Sequence, residues 1–199
     1  MIGAGKFGTM FLAQALRIPA IHIVGVVDLI PANAKSNMKL AGWSDEAHSA
    51  VNLNDAAISG KTYVGDDWQA MITHPAVDIV IEATGNPLAA VTHCLAAFAQ
   101  GKNVINVTVE ADAFCGLGLA QKAAEASVIY SMAYGDQPAL ASDLIDWART
   151  CGFSVVAAGR GHKWLPHFCQ STPDTVWEHW GLTSEQADRG RLNPKMFNA

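Results

Sequence analysis

The first eight residues, Met-Ile-Gly-Ala-Gly-Lys-Phe-Gly, contain a complete G-x-G-x-x-G pattern at Gly3, Gly5 and Gly8. In this pattern the first glycine permits a tight turn out of a strand, the second lets a ligand approach the backbone, and the third lets the following helix pack closely. Only two residues precede the pattern. We therefore expect Met1 to lie inside the first strand and the chain to be an amino-terminally trimmed fragment.

Short β-branched segments alternate with longer helical segments along the rest of the chain. The predicted strands are residues 21–28, 61–64, 77–85, 102–109, 127–135 and 153–161. Helix starts are predicted at Asp66 or Asp67 and at Asn86, and one helix is predicted in an insertion over 29–60. Repeated strand–helix–strand units predict an α/β fold with a Rossmann-type doubly wound parallel sheet over 1–152. Residues 153–199 are interpreted as the beginning of a second, catalytic region, which is expected to be truncated.

Composition excludes several classes of protein. Half of the 199 residues are hydrophobic, which suffices for a packed core. The net charge of −5 and a pI near 5.7 give no basic surface for nucleic acid or an anionic membrane. No apolar run approaches the ~20 residues of a membrane span. The four cysteines lack the spacing of a zinc site or a disulfide scaffold, so a reducing cytoplasm is expected.

Asp28 supports a dinucleotide interpretation of the glycine pattern. It ends a predicted strand twenty residues after Gly8, where a carboxylate can accept hydrogen bonds from a ribose. The helix that begins near Lys6 and Phe7 would present its free N–H groups to a diphosphate. These features predict NAD or NADP as the cofactor.

The same carboxylate bears on which of the two cofactors is bound. A carboxylate at Asp28 repels the 2′-phosphate of NADP and pairs with the free hydroxyl of NAD, so it favours NAD. Lys35 and Lys39 follow shortly afterwards and could neutralise a phosphate, which leaves NADP open.

Two further loops are predicted to contact the cofactor because each follows a buried strand. The first contains Thr84, Gly85 and Asn86, and the alternative is a simple strand-to-helix turn. The second contains Asp136, for which helix capping is the alternative. Ligands of open α/β sheets bind at this edge, outside the carboxyl ends of the strands.

Five segments resemble one family: IGAGKFGTMF, VDIVIEATGNP, KNVINVTVEAD, AYGDQPA and GRGHKWLP…NPKMFN. They are similar to the homoserine-dehydrogenase-like oxidoreductases, most closely to the branch called 1-deoxy-D-xylulose 5-phosphate reductoisomerase-like. The resemblance spans nearly the whole chain. It implies an NAD(P)-dependent oxidoreductase for a small anionic carbonyl or alcohol, with a role in isoprenoid precursor synthesis. It also implies a catalytic region that continues past residue 199, so that this chain alone could be inactive.

One segment departs from the homoserine dehydrogenase pattern. Those enzymes carry Ala-Asn-Lys after the corresponding strand, whereas this chain places Glu110 and Asp112 there. Glu110 is a candidate catalytic acid or base, and both carboxylates are candidate ligands of Mg²⁺ or Mn²⁺. Alternatively, Asp112 caps the next helix and Glu110 pairs with a basic residue.

The segment GRGHKWLPH concentrates basic groups after a predicted strand. Lys163 and Arg160 are predicted to hold a substrate anion or polarise its carbonyl, His162 to relay a proton, and Lys195 to close over the site. The alternative is a solvated basic loop. Two other functions remain open, a homoserine dehydrogenase and a non-catalytic dinucleotide-binding module. The sequence does not determine the oligomeric state and leaves a homo-oligomer open.

Overall fold

The computed structural model describes residues 1–134, 137–159 and 165–189. The chain divides into two compact units, Met1–Phe153 and Ser154–Ala199. The first unit alternates strands and helices, and all of its strand pairs are parallel. The predicted α/β fold with a Rossmann-type parallel sheet is confirmed.

Strands and helices alternate along the first unit, with two successive helices between β1 and β2. Its strands are β1 Gly25–Val27, β2 Tyr63–Gly65, β3 Ile79–Glu82, β4 Asn103–Asn106 and β5 Tyr130–Met132. Its helices are α1 Lys6–Ala15, α2 Pro31–Leu40, α3 Leu53–Ser59, α4 Trp68–Thr73, α5 Pro87–Ala99, α6 Val109–Glu125 and α7 Gln137–Thr150.

The first residues of the chain join two sets of strands, β1–β2 and β3–β4–β5. Ile2 forms parallel bridges to Val27 on one side and to Glu82 on the other. The Ile2 amide donates to the Ile81 carbonyl at 2.8 Å, and the Gly3 amide donates to the Val27 carbonyl at 2.8 Å. Residues 1–3 thus take the place of the first strand, and the strand order reverses on either side of them.

Helices cover both faces of this sheet. One apolar cluster includes Phe98 and Leu119 from α5 and α6, and a second cluster includes Leu12 and Met38 from α1 and α2. Short, almost fully apolar strands are expected where both faces are buried. The sheet therefore positions its strand ends, rather than its faces, for contact with a ligand.

Side-chain caps explain several helix starts. The Asp67 carboxylate accepts from the Ala70 amide at 2.8 Å, and the Asn86 side chain accepts from the amides of Leu88 and Ala89 at 3.1 Å. These caps satisfy amides that have no partner within their own helix. Both predicted helix starts are confirmed.

Two predictions of secondary structure were wrong. Residues 153–159 form no strand, and Phe153 and Val156 are 64% and 96% exposed. Because β propensity stabilises a strand only where it packs against neighbours, this segment stays irregular. Within 29–60 there are two helices instead of one. The second, α3, was missed although Asn52 caps it through the Asp55 amide at 2.8 Å.

The second unit contains a 3-10 helix, Pro166–Gln170, and two short helices, α8 Val176–His179 and α9 Ser184–Arg189. A capping box opens α9. The Thr183 amide donates to Gln186 Oε1 at 2.9 Å, and the Gln186 amide donates to Thr183 Oγ1 at 3.2 Å. Across the ranges that the structure describes, none of the helices combines the length and the apolar character that a membrane span requires.

Candidate functional site

A crevice of about 420 Å³ lies at the carboxyl ends of the strands, beside the point where the strand order reverses. The glycine turn and the turns that follow β1, β2 and β3 line this crevice. The lining residues are Ile2, Gly3, Gly5, Val27, Asp28, Leu29, Asp66, Trp68, Ala83, Thr84, Asn86, Ala89 and His93. In open α/β sheets this is where ligands bind. Five of the residues that the sequence analysis proposed for a cofactor therefore lie together.

A second cavity, of about 260 Å³, lies at the opposite, amino ends of the strands. Its walls are mainly apolar, with Val24, Val77 and Ile79 among them. It contains none of the residues predicted to contact a cofactor or a substrate. Five of the described residues that were predicted to contact a cofactor thus line the larger crevice, and none lines this cavity.

The three glycines of the first turn have different structural roles. Gly3 has a φ of +90°, and a Cβ there would lie 2.6 Å from the Ala83 carbonyl oxygen. A Cβ on Gly8 would lie 2.7 Å from the Gly3 carbonyl oxygen. At Gly5 a Cβ would meet no described atom within 4 Å. Gly3 and Gly8 thus allow close backbone packing, whereas Gly5 leaves the backbone open towards the crevice.

Helix α1 begins directly after Gly5, and Lys6 and Phe7 in its first turn are exposed. Among the described residues no side chain caps this helix, and its first turn has no acidic residue. The first amides of a helix have no partner within it and carry the positive end of its dipole. The amino end of α1 can therefore accept an anion.

Asp28 follows β1 directly and is half-buried. Its Oδ2 accepts from the Ala4 amide at 2.8 Å, and its Oδ1 accepts from the Ile30 amide at 3.0 Å. The carboxylate thus holds the glycine turn against the end of β1. Since each carboxylate oxygen has two lone pairs, Asp28 can also accept hydrogen bonds from a ligand in the crevice.

The loop between β3 and α5 forms another side of the crevice. Thr84, Gly85 and Asn86 are all exposed, and Gly85 has a φ of +69°. The Gly85 amide donates to the hydroxyl of Thr108 at 3.0 Å, and the Asn86 amide donates to the hydroxyl of Thr84 at 3.3 Å. The backbone of this loop is therefore held by two threonine side chains.

A fully buried carboxylate, Glu82, lies beneath this loop and was not among the predicted site residues. Glu82 Oε1 accepts from the Thr84 hydroxyl at 2.6 Å, and Oε2 accepts from the Thr108 hydroxyl. His93 Nδ1 lies 3.3 Å from Oε1, and its ring contacts Trp68 with centroids 4.7 Å apart. His93 lies within the apolar helix α5 and is buried. It also lines the crevice.

A second group of polar side chains continues from the first along β4, β5 and α6. Asn106 Nδ2 donates to Asp112 Oδ2 at 3.1 Å and to the Tyr130 hydroxyl at 3.0 Å. The Tyr130 hydroxyl donates to Asp112 Oδ1 at 2.7 Å. Burial, and then the hydrogen bond to the Asp112 carboxylate, raise the pKa of Tyr130, which remains a donor at neutral pH.

These contacts give no support to a metal at Glu110 and Asp112. Both oxygens of Asp112 accept side-chain hydrogen bonds from Asn106 and Tyr130, and Asp112 does not cap α6. Glu110 is exposed in the first turn of α6. In the part of the chain that the structure describes, no three His, Cys, Asp or Glu residues are grouped to hold a metal ion.

A sequence signal for the buried polar groups did exist. Glu82 and Asn106 each end a short apolar strand, in VDIVIE and NVIN. A polar residue in that position is either solvated or paired inside the protein. Sequence alone does not reveal its partners, because Thr108 and His93 come from other elements.

Several predicted site residues lie outside the described residues. They are Asp136, Arg160, His162, Lys163 and Lys195. Their roles in holding cofactor and substrate stay predictions.

Residues 3–132, more than half of the chain, match the family model of the homoserine dehydrogenase NAD-binding domain. The chain belongs to this family. Residues 135–199 match a second model, described as the catalytic domain of oxidoreductase DRL. The resemblance of the chain to the homoserine-dehydrogenase-like oxidoreductases is thus confirmed at the level of the family. Its assignment to the reductoisomerase-like branch stays a prediction.

A solved structure of an NAD-binding oxidoreductase from Klebsiella pneumoniae shares the fold of this homoserine dehydrogenase family member. The TM-score is 0.51 at 22% sequence identity, and the match covers 76% of this chain. It covers 38% of the Klebsiella chain, so the present chain spans well under half the length of that protein. No curated protein matches the chain.

Proposed function

We propose that this chain is the cofactor-binding part of an NAD(P)H-dependent oxidoreductase and that the dinucleotide binds in the 420 Å³ crevice. The observation that carries the proposal is the open space at Gly5 beside the uncapped amino end of α1. The diphosphate would lie there, where backbone amides and the helix dipole stabilise negative charge. The residues of the crevice fit such a group, because the glycine turn presents backbone and no side chain.

The two ends of the dinucleotide would contact different walls. Asp28 would accept hydrogen bonds from the adenosine ribose. Thr84, Gly85 and Asn86 would lie near the ribose of the nicotinamide. Bound there, the nicotinamide supplies hydride transfer, and the protein orients it and excludes water.

NAD is the favoured cofactor in this proposal. A carboxylate at the position of Asp28 repels the additional phosphate of NADP. Lys39, one of the two lysines that could offset this repulsion, forms an ion pair with Asp45 at 2.8 Å. This ion pair reduces the capacity of Lys39 to offset that repulsion.

Calorimetric titration of the chain with NADH and NADPH tests this proposal. We expect heat of binding with NADH and at least about tenfold weaker binding of NADPH, a difference of about 1.4 kcal/mol. An Asp28→Asn variant removes the charge at constant size and should narrow that difference. If neither nucleotide binds to well-folded protein, the proposal is wrong.

The substrate is proposed to be a small anionic carbonyl or alcohol compound. In support, an overall acidic chain concentrates Arg160, His162 and Lys163 in one segment of the region that matches an oxidoreductase catalytic domain. These groups would hold the anion, polarise the carbonyl and transfer a proton. A reductoisomerase-like step on a pentulose phosphate is the leading candidate.

Homoserine dehydrogenase is the second candidate, because the family model over residues 3–132 carries that name. A spectrophotometric assay of NADPH and NADH oxidation distinguishes the reductoisomerase-like activity from homoserine dehydrogenase activity. It requires a polypeptide that includes the complete catalytic region. The assay is run with and without Mg²⁺ or Mn²⁺. Nucleotide binding without turnover of any substrate would favour a non-catalytic dinucleotide-binding module.

A further inference from the structure

The buried carboxylate of Glu82 has no role in the proposed contacts to the dinucleotide. We propose that Glu82 is a positioning residue, which sets the β3–α5 loop at the nicotinamide end of the crevice through the hydroxyl groups of Thr84 and Thr108. This inference rests on the proposed cofactor site, since it explains how one wall of that site is held.

The two oxygens of the Glu82 carboxylate contact two different elements. Oε1 accepts from Thr84, which lies in the β3–α5 loop, at 2.6 Å. Oε2 accepts from Thr108, which precedes α6 and is 2% exposed. Glu82 itself is 0% exposed, so water does not compete for either oxygen. One carboxylate thus links the loop under the crevice to the end of β4.

These hydrogen bonds have a defined direction. Both threonine hydroxyl groups donate to the Glu82 side chain. Their lone pairs then face the loop. The Thr108 oxygen accepts from the Gly85 amide at 3.0 Å, and the Thr84 oxygen accepts from the Asn86 amide at 3.3 Å. Glu82 therefore orients the acceptors that hold two consecutive backbone amides.

The β3–α5 loop held in this way faces the proposed ligand. With its amide satisfied, Gly85 keeps a φ of +69°, and Asn86 caps α5 with its side chain. Thr84 and Asn86 both line the crevice, whereas neither Glu82 nor Thr108 does. A change at Thr108 therefore reaches the cofactor through the position of this loop. A change at Glu82 can also act through His93, whose Nδ1 lies 3.3 Å from Oε1 and which lines the crevice. The glycine turn at the diphosphate end is held by Asp28 and by backbone contacts, including one to Ala83, and none of these contacts uses the Glu82 or Thr108 side chain.

The test compares two buried threonines that differ in location. Thr108→Val removes the hydroxyl that joins Glu82 to Gly85. Thr62→Val is the matched control, because the Thr62 hydroxyl is also buried, donates to the Ile23 carbonyl at 2.6 Å, and lies outside the crevice lining. Glu82→Gln is a second variant, which keeps the size of the side chain but places a donor against one of the hydroxyl groups.

Calorimetry measures the binding of NADH and of ADP, which lacks the nicotinamide half, and thermal unfolding is followed for every variant. In Thr108→Val we expect about tenfold weaker binding of NADH, as for loss of one hydrogen bond to a charged group, and ADP binding within about twofold of the wild type. Glu82→Gln should weaken NADH binding selectively but by a smaller factor. Thr62→Val should lower the unfolding temperature and leave both affinities unchanged.

The outcomes separate the two proposals. A wild-type chain that does not bind NADH contradicts the cofactor site itself. If the wild type binds NADH normally but Thr108→Val and Glu82→Gln change the affinities for NADH and ADP by the same factor, or change neither, Glu82 has only a structural role. Selective loss of NADH binding in both variants supports the positioning role, whatever the change in unfolding temperature.

Discussion

The glycine turn and the β3–α5 loop both line the crevice, and different kinds of contact hold them in place. The turn at Gly3 packs its backbone directly against the backbone of Ala83, and a side chain would not fit between them. The loop at Gly85 is held by side chains, which form a continuous set of hydrogen bonds through Thr108 to the buried Glu82. The first wall of the crevice, the glycine turn, depends on the absence of side-chain atoms at Gly3. The second wall, the β3–α5 loop, depends on buried polar side chains.

This difference determines how each wall responds to substitution. A backbone contact without free space cannot accommodate even a methyl group. A substitution that adds one therefore forces the two backbone segments apart and destabilises the whole fold. A hydrogen-bonded set of side chains can lose one member and leave the fold in place, because the remaining donors and acceptors re-pair in part. Substitutions in the first wall should therefore mainly lower the free energy of unfolding, and substitutions in the second wall should mainly lower ligand affinity.

Gly3→Ala should have the largest effect on stability. The new Cβ would lie 2.6 Å from the Ala83 carbonyl oxygen on a backbone with a φ of +90°. Left-handed strain and overpacking together should lower the free energy of unfolding by about 3 kcal/mol or more. Urea denaturation followed by circular dichroism measures the change.

Gly60→Ala is the control for this variant. Gly60 also has a positive φ, of +74°, but a Cβ there would meet no described atom within 4 Å. We expect a loss of about 1 kcal/mol, due to backbone strain alone. An equal loss in both variants would show that the contact with Ala83 does not restrict the turn.

Tyr130→Phe should have an intermediate effect on stability, since it breaks the hydrogen bonds that join Tyr130 to Asp112 and Asn106. The lost hydroxyl lies 2.7 Å from Asp112 Oδ1 and 3.0 Å from Asn106 Nδ2. We expect the free energy of unfolding to fall by about 1–2 kcal/mol. Tyr134→Phe is the matched control, because Tyr134 is 77% exposed, and it should change stability by less than about 0.5 kcal/mol.

The pH dependence of unfolding provides a second measurement on Tyr130. Its pKa in the folded chain is raised above the ordinary value of 10.0, chiefly by burial. The phenol therefore contributes stability below pH 10 that is lost as the pH rises further, because the unfolded chain ionises first. The wild type should lose stability above pH 10 more steeply than Tyr130→Phe. Parallel pH profiles would contradict this assignment.

Much of the first wall could be predicted from the sequence because its determinants are local. The spacing of Gly3, Gly5 and Gly8, followed by Asp28 after a β-branched segment, predicted the turn, the helix and the next strand end in chain order. The helix caps at Asp67 and Asn86 were predictable for the same reason, since a cap bonds to amides two or three residues away.

The second wall was predicted only in part. The position of Thr84, Gly85 and Asn86 after a strand predicted that they contact a cofactor. The buried polar side chains beneath them were not predicted. Glu82, His93 and Thr108 are distant in sequence and meet only because β3, α5 and β4 pack together. The prediction of Asp112 as a metal ligand or a cap was wrong for the same reason, since Asp112 lies on α6 and its partner Tyr130 on β5. Local patterns carry no information about such partners.

Gly5→Ala should have the smallest effect on stability and is the sharpest test of the first wall as a ligand site. Its φ of −69° suits any residue, and a Cβ would meet no described atom within 4 Å. The free energy of unfolding should therefore change by less than about 0.5 kcal/mol. The methyl group would nonetheless occupy the space above the amino end of α1, where the proposed diphosphate approaches the backbone, so NADH should bind about fivefold more weakly. Gly118→Ala, in α6 and also without a described atom within 4 Å of its Cβ, should leave NADH binding unchanged. Wild-type affinity in Gly5→Ala would mean that the open space at this turn is not where the diphosphate lies, even if the chain binds NADH elsewhere in the crevice.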